Sequence, residues 1–261
     1  MRLIWLSILF LALPQGVSPA LASLVEAERA FARTCVERGV RDSFLAFFAD
    51  DGIGFQPNPH NSREFFLKQP APATRPPVTL NWAPIYGDIA STGDLGYTTG
   101  PFLLTDNSAE KRPARHGMYF SIWQKQTDGS WKVVLDIGVE TPQAVAPLAA
   151  PFVAAQVTAS PTNPRSSILE AEATEARYSE NARKHRPKMM PLVGREAIIS
   201  WLKAQNASMK TKPIGWRVAR SGDFGYVYGS YDFGSEKGSY ARVWRYSEEA
   251  WQIVAEITNP D

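Results

Sequence analysis

Two apolar rhythms divide the chain. Apolar side chains recur at 24, 27, 31 and 35, and again at 44, 45, 47 and 48, the spacing of two amphipathic helices. Asp50-Asp51-Gly52 is expected to stop the second of them. A third, short helix is expected from Ser62 to Gln69, with Ser62 as its N-cap and Glu64 in its first turn. After Pro77 the rhythm shortens to two. VTLNWAPIYGDIAS, LGYTTGPFLLT, HGMYFSIWQKQ and WKVVLDIGV read as strands separated by turn residues. Asp128-Gly129 predicts a two-residue hairpin turn, and Gly93-Asp94 a type II′ turn with glycine first. Helices followed by an antiparallel sheet make an α+β fold.

The pattern then repeats. STGDLGYTTG at 91–100 returns as RSGDFGYVYG at 220–229. Gly117, Tyr119, Trp123 and Trp131 correspond to Gly238, Tyr240, Trp244 and Trp251, and Asp136 corresponds to Glu256. Upstream, Pro59 to Glu64 corresponds to Pro191 to Glu196. So many matches in one order indicate a duplication. The second copy is shortened, because only SSILEAEATEARYSEN precedes its matching segment. The expected organisation is a first domain over 23–142, a Pro/Ala-rich linker over 143–165 and a second domain over 166–261. The apolar first half of the linker is expected to lie against a domain surface.

Residues 1–22 read differently. Arg2, the apolar run Leu3 to Leu13 and the small residues Ala20 and Ala22 have the form of a secretory signal peptide cleaved after Ala22. The apolar run is too short to span a bilayer. The expectation is a periplasmic or secreted protein that keeps no membrane segment after cleavage. Cys35 is the single cysteine of 261 residues, so no internal disulfide helps the core. Apolar residues make up 44%, charged residues 21%, and the net charge is +2. That balance describes a packed protein and lacks the basic footprint of a nucleic-acid binder. No phosphate loop, nucleophile elbow or Cys-His spacing calls for a cofactor or metal.

Trp82, Pro84, Gly93, Asp94, Gly96, Tyr97, Gly100, Gly117, Tyr119, Trp123, Trp131, Lys132, Val133 and Asp136 together resemble SnoaL-like domains of unknown function, within the nuclear transport factor 2-like superfamily. The resemblance spans nearly all of the first copy and most of the second. It implies two tandem cones, each a sheet wrapped on helices around a pocket. It does not imply one activity, since that superfamily holds isomerases, dehydratases, cyclases and binding modules.

A two-residue turn at Asp128-Gly129 pairs Thr127 with Ser130 and sets Ser121 opposite Asp136. Alternation then puts Tyr119, Ser121, Trp123, Lys132, Val134 and Asp136 on one face. The other face, with Met118, Phe120, Ile122, Trp131, Val133, Leu135 and Ile137, reads as core. The mixed face supplies the candidate ligand-binding residues Tyr119, Ser121, Trp123 and Asp136. Asp136 is the candidate general base and Tyr119 the candidate hydrogen-bond donor to a developing oxyanion. The same face also reads as a surface buried between the two copies, an internal pseudo-dimer, or in a homo-oligomer. In the second copy Trp244 set opposite Val254 makes Arg242 and Glu256 a cross-strand pair. His60 and Glu64 suggest a capped helix end rather than a metal site. His185, in a basic run over 182–188, suggests a solvated loop. The expected partner is a small, partly apolar molecule. The alternatives are a structural scaffold, or an isomerase- or dehydratase-like enzyme using Asp136.

Overall fold

A computed structural model describes residues 17–71, 78–156, 167–174 and 177–261. The apolar run Leu3 to Leu13 and the second half of the linker lie outside the described residues. The chain is α+β, with two sheets of eight and six strands among the described residues.

In the first copy, helices α1 (Pro19–Arg38) and α2 (Val40–Phe47) precede strand β1 (Phe48–Phe55). Strand β2 (Pro59–Asn61) and helix α3 (Ser62–Leu67) follow. The sheet continues through β3 (Val78–Trp82), β4 (Tyr86–Ile89), β5 (Leu95–Asp106), β6 (Arg115–Lys125) and β7 (Trp131–Thr141). A short strand β8 (Val153–Ala154), from the apolar first half of the linker, runs parallel to β4 at the sheet edge. The second copy repeats the plan with fewer helical residues. It comprises α4 (Ile168–Ala173), β9 (Tyr178–His185), β10 (Leu192–Val193), α5 (Arg195–Ala204), β11 (Met209–Val218), β12 (Phe224–Phe233), β13 (Glu236–Ser247) and β14 (Ala250–Pro260). In both copies the first strand lies parallel to the last, β1 on β7 and β9 on β14.

Several local expectations are corrected. Asp50-Asp51-Gly52 does not follow the helix but sits inside β1, where the register on β7 shifts between Phe48 and Ile53. A Cβ at Gly52 would come within 2.8 Å of Phe48 and of the Val133 carbonyl, so glycine permits that bulge. The N-cap of α3 is Asn61, whose side chain accepts from the Glu64 amide, and Ser62 is the first helical residue. The Asp128-Gly129 turn is one residue longer than expected, with the Gln126 amide donating to Ser130. A bulge between Ile122 and Trp123 in the β6–β7 pairing then restores the register, and Ser121 pairs with Asp136. The bulge moves Trp131 and Val133 to the same side as Tyr119 and Trp123, and sends Val134 to the other. In the second copy a matching bulge pairs Trp244 with Ile253 rather than Val254, and Arg242 still meets Glu256. The turn Ser91–Asp94 is a four-residue loop closed by Ala90 and Leu95, with Gly93 at φ +66°, and Arg220–Asp223 copies it between Ala219 and Phe224 with Gly222 at φ +74°.

The two sheets face each other across one core. Phe120, Ile122, Leu135 and Ile137 meet Phe224, Tyr226, Val243 and Ile257. The face of β6 and β7 that packs on the other copy is therefore the apolar one, and the mixed face turns inward under α1. A second core, with Leu24, Phe31, Cys35, Trp82, Trp123 and Trp131, fills the space between helices and sheet in the first copy.

Candidate functional site

The interior of the first cone is organised around a carboxylate that the apolar pattern concealed. Leu24, Glu28, Phe31 and Cys35 form the buried stripe of α1, so a glutamate occupies a core position. Glu28 is fully buried and has three donors: Trp82 Nε1 at 2.6 Å, Trp123 Nε1 at 2.7 Å and Thr98 Oγ1 at 2.5 Å. Tyr119 Oη lies 3.5 Å from Thr98 Oγ1 and extends the chain. Burial raises the Glu28 carboxyl above its ordinary value, and these hydrogen bonds oppose the rise. A signal for Glu28 existed in the sequence. Leu24-Val25-Glu26-Ala27-Glu28 returns as Ile168-Leu169-Glu170-Ala171-Glu172, and Glu172 is also buried.

Beside this group lies a cavity of about 270 Å³, close to the lower size of small-molecule sites, ~300 Å³. Phe31, Phe44, Phe66, Trp82, Phe102 and Tyr119 supply most of its wall. Its polar groups are Asp136, His60, Gln56, Ser62 and Glu140. Asp136 is half-buried and receives a 2.6 Å hydrogen bond from Ser121 Oγ. Burial raises its carboxyl to about 7, against the Ser121 hydrogen bond and with a further push from the Glu28 charge. Lys132 does not neutralise it, because its Nζ donates to the Ala46 carbonyl at 2.7 Å.

Of the four residues singled out on the mixed face, Asp136 and Tyr119 line the cavity. Ser121 lies behind Asp136 and orients it, fully buried. Trp123 is not in the wall; it is buried against Phe31 and bonded to Glu28. His60 is in the wall, on β2 opposite Gly54 rather than at a solvated helix end. His116 pairs with Thr141 at the far end of β6, away from Asp136. His185 is no solvated loop residue. It is buried on β9 with Nε2 3.2 Å from Thr99 Oγ1, and burial lowers it to about 3.

The second cone is filled at the corresponding place. Arg242 Nε donates to Glu256 at 2.7 Å and its Nη1 to Glu172 at 2.6 Å. Lys184 Nζ also bonds Glu256, and Tyr178 Oη does so at 3.0 Å. The register of the strands equates Lys184 with Gly54 and Arg242 with Ser121. Two small residues leave the first cone open where two long cations plug the second. Among the described residues no cluster of ligating side chains could hold a metal, and no helix is long and apolar enough to cross a membrane.

No protein-family model matches the chain, and no curated protein matches it. Solved structures do. A ketosteroid isomerase-like protein from Erwinia carotovora atroseptica is 15% identical over 48% of this chain and 98% of its own, with a TM-score of 0.37. An NTF-2 like protein of unknown function from Shewanella oneidensis is 12% identical over 45% and 96%, with a TM-score of 0.37. The association domain of C. elegans CaMKII is 13% identical over 45% and 92%, with a TM-score of 0.36. Each of the three matches about half of this chain and nearly all of its own.

Proposed function

We infer that the protein binds a small, largely apolar molecule in its first cone, and that its second cone is a scaffold. One observation carries this reading: the first cone holds a half-open cavity of about 270 Å³ lined by rings and by Asp136, while Arg242 and Lys184 fill the second. The signal-like pattern of residues 1–22 supports export to the periplasm or beyond, where such a protein would meet its ligand.

Ser121→Arg tests the binding reading, because it places in the first cone the side chain that plugs the second. A screen of apolar compounds should find ligands that raise the melting temperature of the natural protein, as binding to the folded state alone requires. The same compounds should leave a folded Ser121→Arg protein unshifted. Equal shifts in both proteins would place the ligand elsewhere.

A second reading is acid–base catalysis by Asp136, of the isomerase or dehydratase kind. Its support is a carboxyl raised to about 7 with no cation beside it among the described residues and Tyr119 in the same wall, the condition of a base poised near neutral pH. Asp136→Asn should then keep both fold and ligand and lose turnover.

A further inference from the structure

The pocket just proposed as a binding site carries a charge pattern that narrows its ligand. We propose that it takes a small organic cation, an ammonium group on an apolar body, with Asp136 as counter-ion and the surrounding rings as its cage. This rests on the binding reading above.

The second copy supplies the chemical precedent. There the carboxylate of Glu256 is met by the guanidinium of Arg242 at 2.7 Å, and that same guanidinium lies 5.2 Å from the ring centroid of Tyr240. Asp136 and Tyr119 are the counterparts of Glu256 and Tyr240. The counterparts of the two cations are Ser121 and Gly54, which carry no charge. The chain thus builds a cation site twice and fills one of them with its own side chains.

The lining of the first pocket agrees. Its carboxylates are Asp136 and Glu140, and among the described residues neither lysine nor arginine lines it. Glu140 is already tied to Arg115 at 2.6 Å. Asp136 accepts from Ser121 through Oδ2, and no described residue donates to Oδ1. The negative faces of Trp82, Phe102, Tyr119 and the neighbouring phenylalanines attract cations and favour an apolar body around the charge. An anionic ligand would meet Asp136 and Glu140 with no compensating lysine or arginine among the described lining residues.

The groups facing Asp136 are Glu28 and Cys35 from α1, Tyr119 from β6, His60 from β2, and Glu140 on its own strand. Burial holds the Cys35 thiol at about 11 and the Tyr119 phenol well above its ordinary value, so both stay neutral. A cation binds the ionised carboxylate. Its affinity should therefore climb as pH rises to about 7, where Asp136 ionises, and level off above.

Benzyltrimethylammonium, charged at every pH, and its neutral isostere neopentylbenzene make the test by calorimetry on the full protein. The cation should bind at least about tenfold more tightly than the isostere at about pH 8. That preference should shrink toward about pH 5.5 and vanish at both pH values in Asp136→Asn. A neutral isostere that binds as well as the cation at about pH 8 would overturn the ligand class and leave the binding reading standing. A preference that survives Asp136→Asn would remove Asp136 as the counter-ion and overturn the proposal. If neither probe binds the natural protein, the proposal fails, and the screen with Ser121→Arg then decides the binding reading separately.

Discussion

Trp123 and Trp244 hold the same place in the two copies, yet their indole N–H groups meet different fates. Trp123 donates to Glu28 at 2.7 Å. Trp244 Nε1 and Glu172 Oε2 are both buried without a hydrogen-bond partner among the described residues, while Glu172 Oε1 accepts from Arg242 at 2.6 Å. Two differences, Ser121 against Arg242 and Gly54 against Lys184, separate a cone organised by neutral donors around a carboxylate from one organised by ion pairs. Buried pairs are costly to break, since removing one partner strands the other charge. Arg242→Leu should therefore destabilise the protein by about 3–5 kcal/mol in urea unfolding. A loss below about 1 kcal/mol would mean that Glu172 and Glu256 find other partners. Asp136 behaves oppositely, because burial raises its folded carboxyl to about 7, against an ordinary value of 3.8. A raised acid adds stability below its unfolded value and loses that contribution as pH rises through the folded value. Asp136→Asn removes this loss. At about pH 8 the variant should be more stable than the natural protein by roughly 1–3 kcal/mol, and near pH 4 it should have no such advantage. A variant less stable at both pH values would show that the ionised carboxylate is a structural asset.

At the scale of elements, the repeated phrase explains itself. The Ser91–Asp94 loop and its copy at 220–223 lie against each other. The Ser91 amide donates to Asp223 at 3.3 Å, the Arg220 amide to Asp94 at 3.2 Å, and the Ser221 amide to Thr92 Oγ1 at 3.2 Å. Each aspartate that looked like an ordinary turn residue reaches across to the other copy. The exchange is not symmetric. Asp223 also takes Arg245 at 3.2 Å, and Arg245 binds Asp88 at 2.8 Å, all three deeply buried. Asp94 holds an exposed Arg220 instead. Burial would raise the Asp223 carboxyl, but hydrogen bonds from Ser221 and Ser91 and the Arg245 charge hold it below its usual value. Asp223→Ala should then cost about 2–4 kcal/mol, and Asp94→Ala about 1 kcal/mol or less. Equal losses would contradict the asymmetry. The strands, the duplication and the pairings Ser121–Asp136 and Arg242–Glu256 were legible because alternation and tryptophan spacing mark them. The sides of Trp131 and Val133 were not, since a bulge leaves no clear mark in a run of apolar residues. Two errors cancelled at the hairpin: the turn is one residue longer, and the bulge absorbs one. Glu28 was missed because a charged residue in a buried stripe reads as the edge of the polar face. What the two cones do with their interiors depends on Gly54, Ser121 and their counterparts, and periodicity is blind to side-chain length.

Over the whole molecule, the duplication turns an intermolecular problem into an intramolecular one. Each sheet has two apolar faces, one toward its helices and one toward the other copy. The second of these faces, with Tyr97, Phe120, Ile122, Leu135 and Ile137 in the first copy, is covered by the other sheet, with Ala155 of the linker packed beside it. Polar contacts ring it, from Arg245 on Asp88 to the cation–ring contact of Arg183 with Tyr86 at 3.4 Å and the Lys188 amide on the Glu140 carbonyl at 2.8 Å. Because the partner is tethered, one copy can give up its pocket while still covering the other, which equal copies in a homodimer could not do. The first copy alone, residues 23–142, would expose a contiguous apolar sheet face, a surface that drives association. Expressed alone, it should elute from a sizing column as a dimer or larger, pairing through that face, whereas the full chain should not need to. Introducing Ile122→Asp and Leu135→Lys into the fragment should abolish this pairing, and the apolar contacts it loses should leave it less stable than the same segment within the full chain. A fragment that is monomeric and as stable as the full protein without those changes would mean that the second copy is dispensable to the first. Its repeated turns would then need another explanation than the cover they provide, whereas association through the exposed face would tie the second copy directly to the upkeep of the pocket in the first.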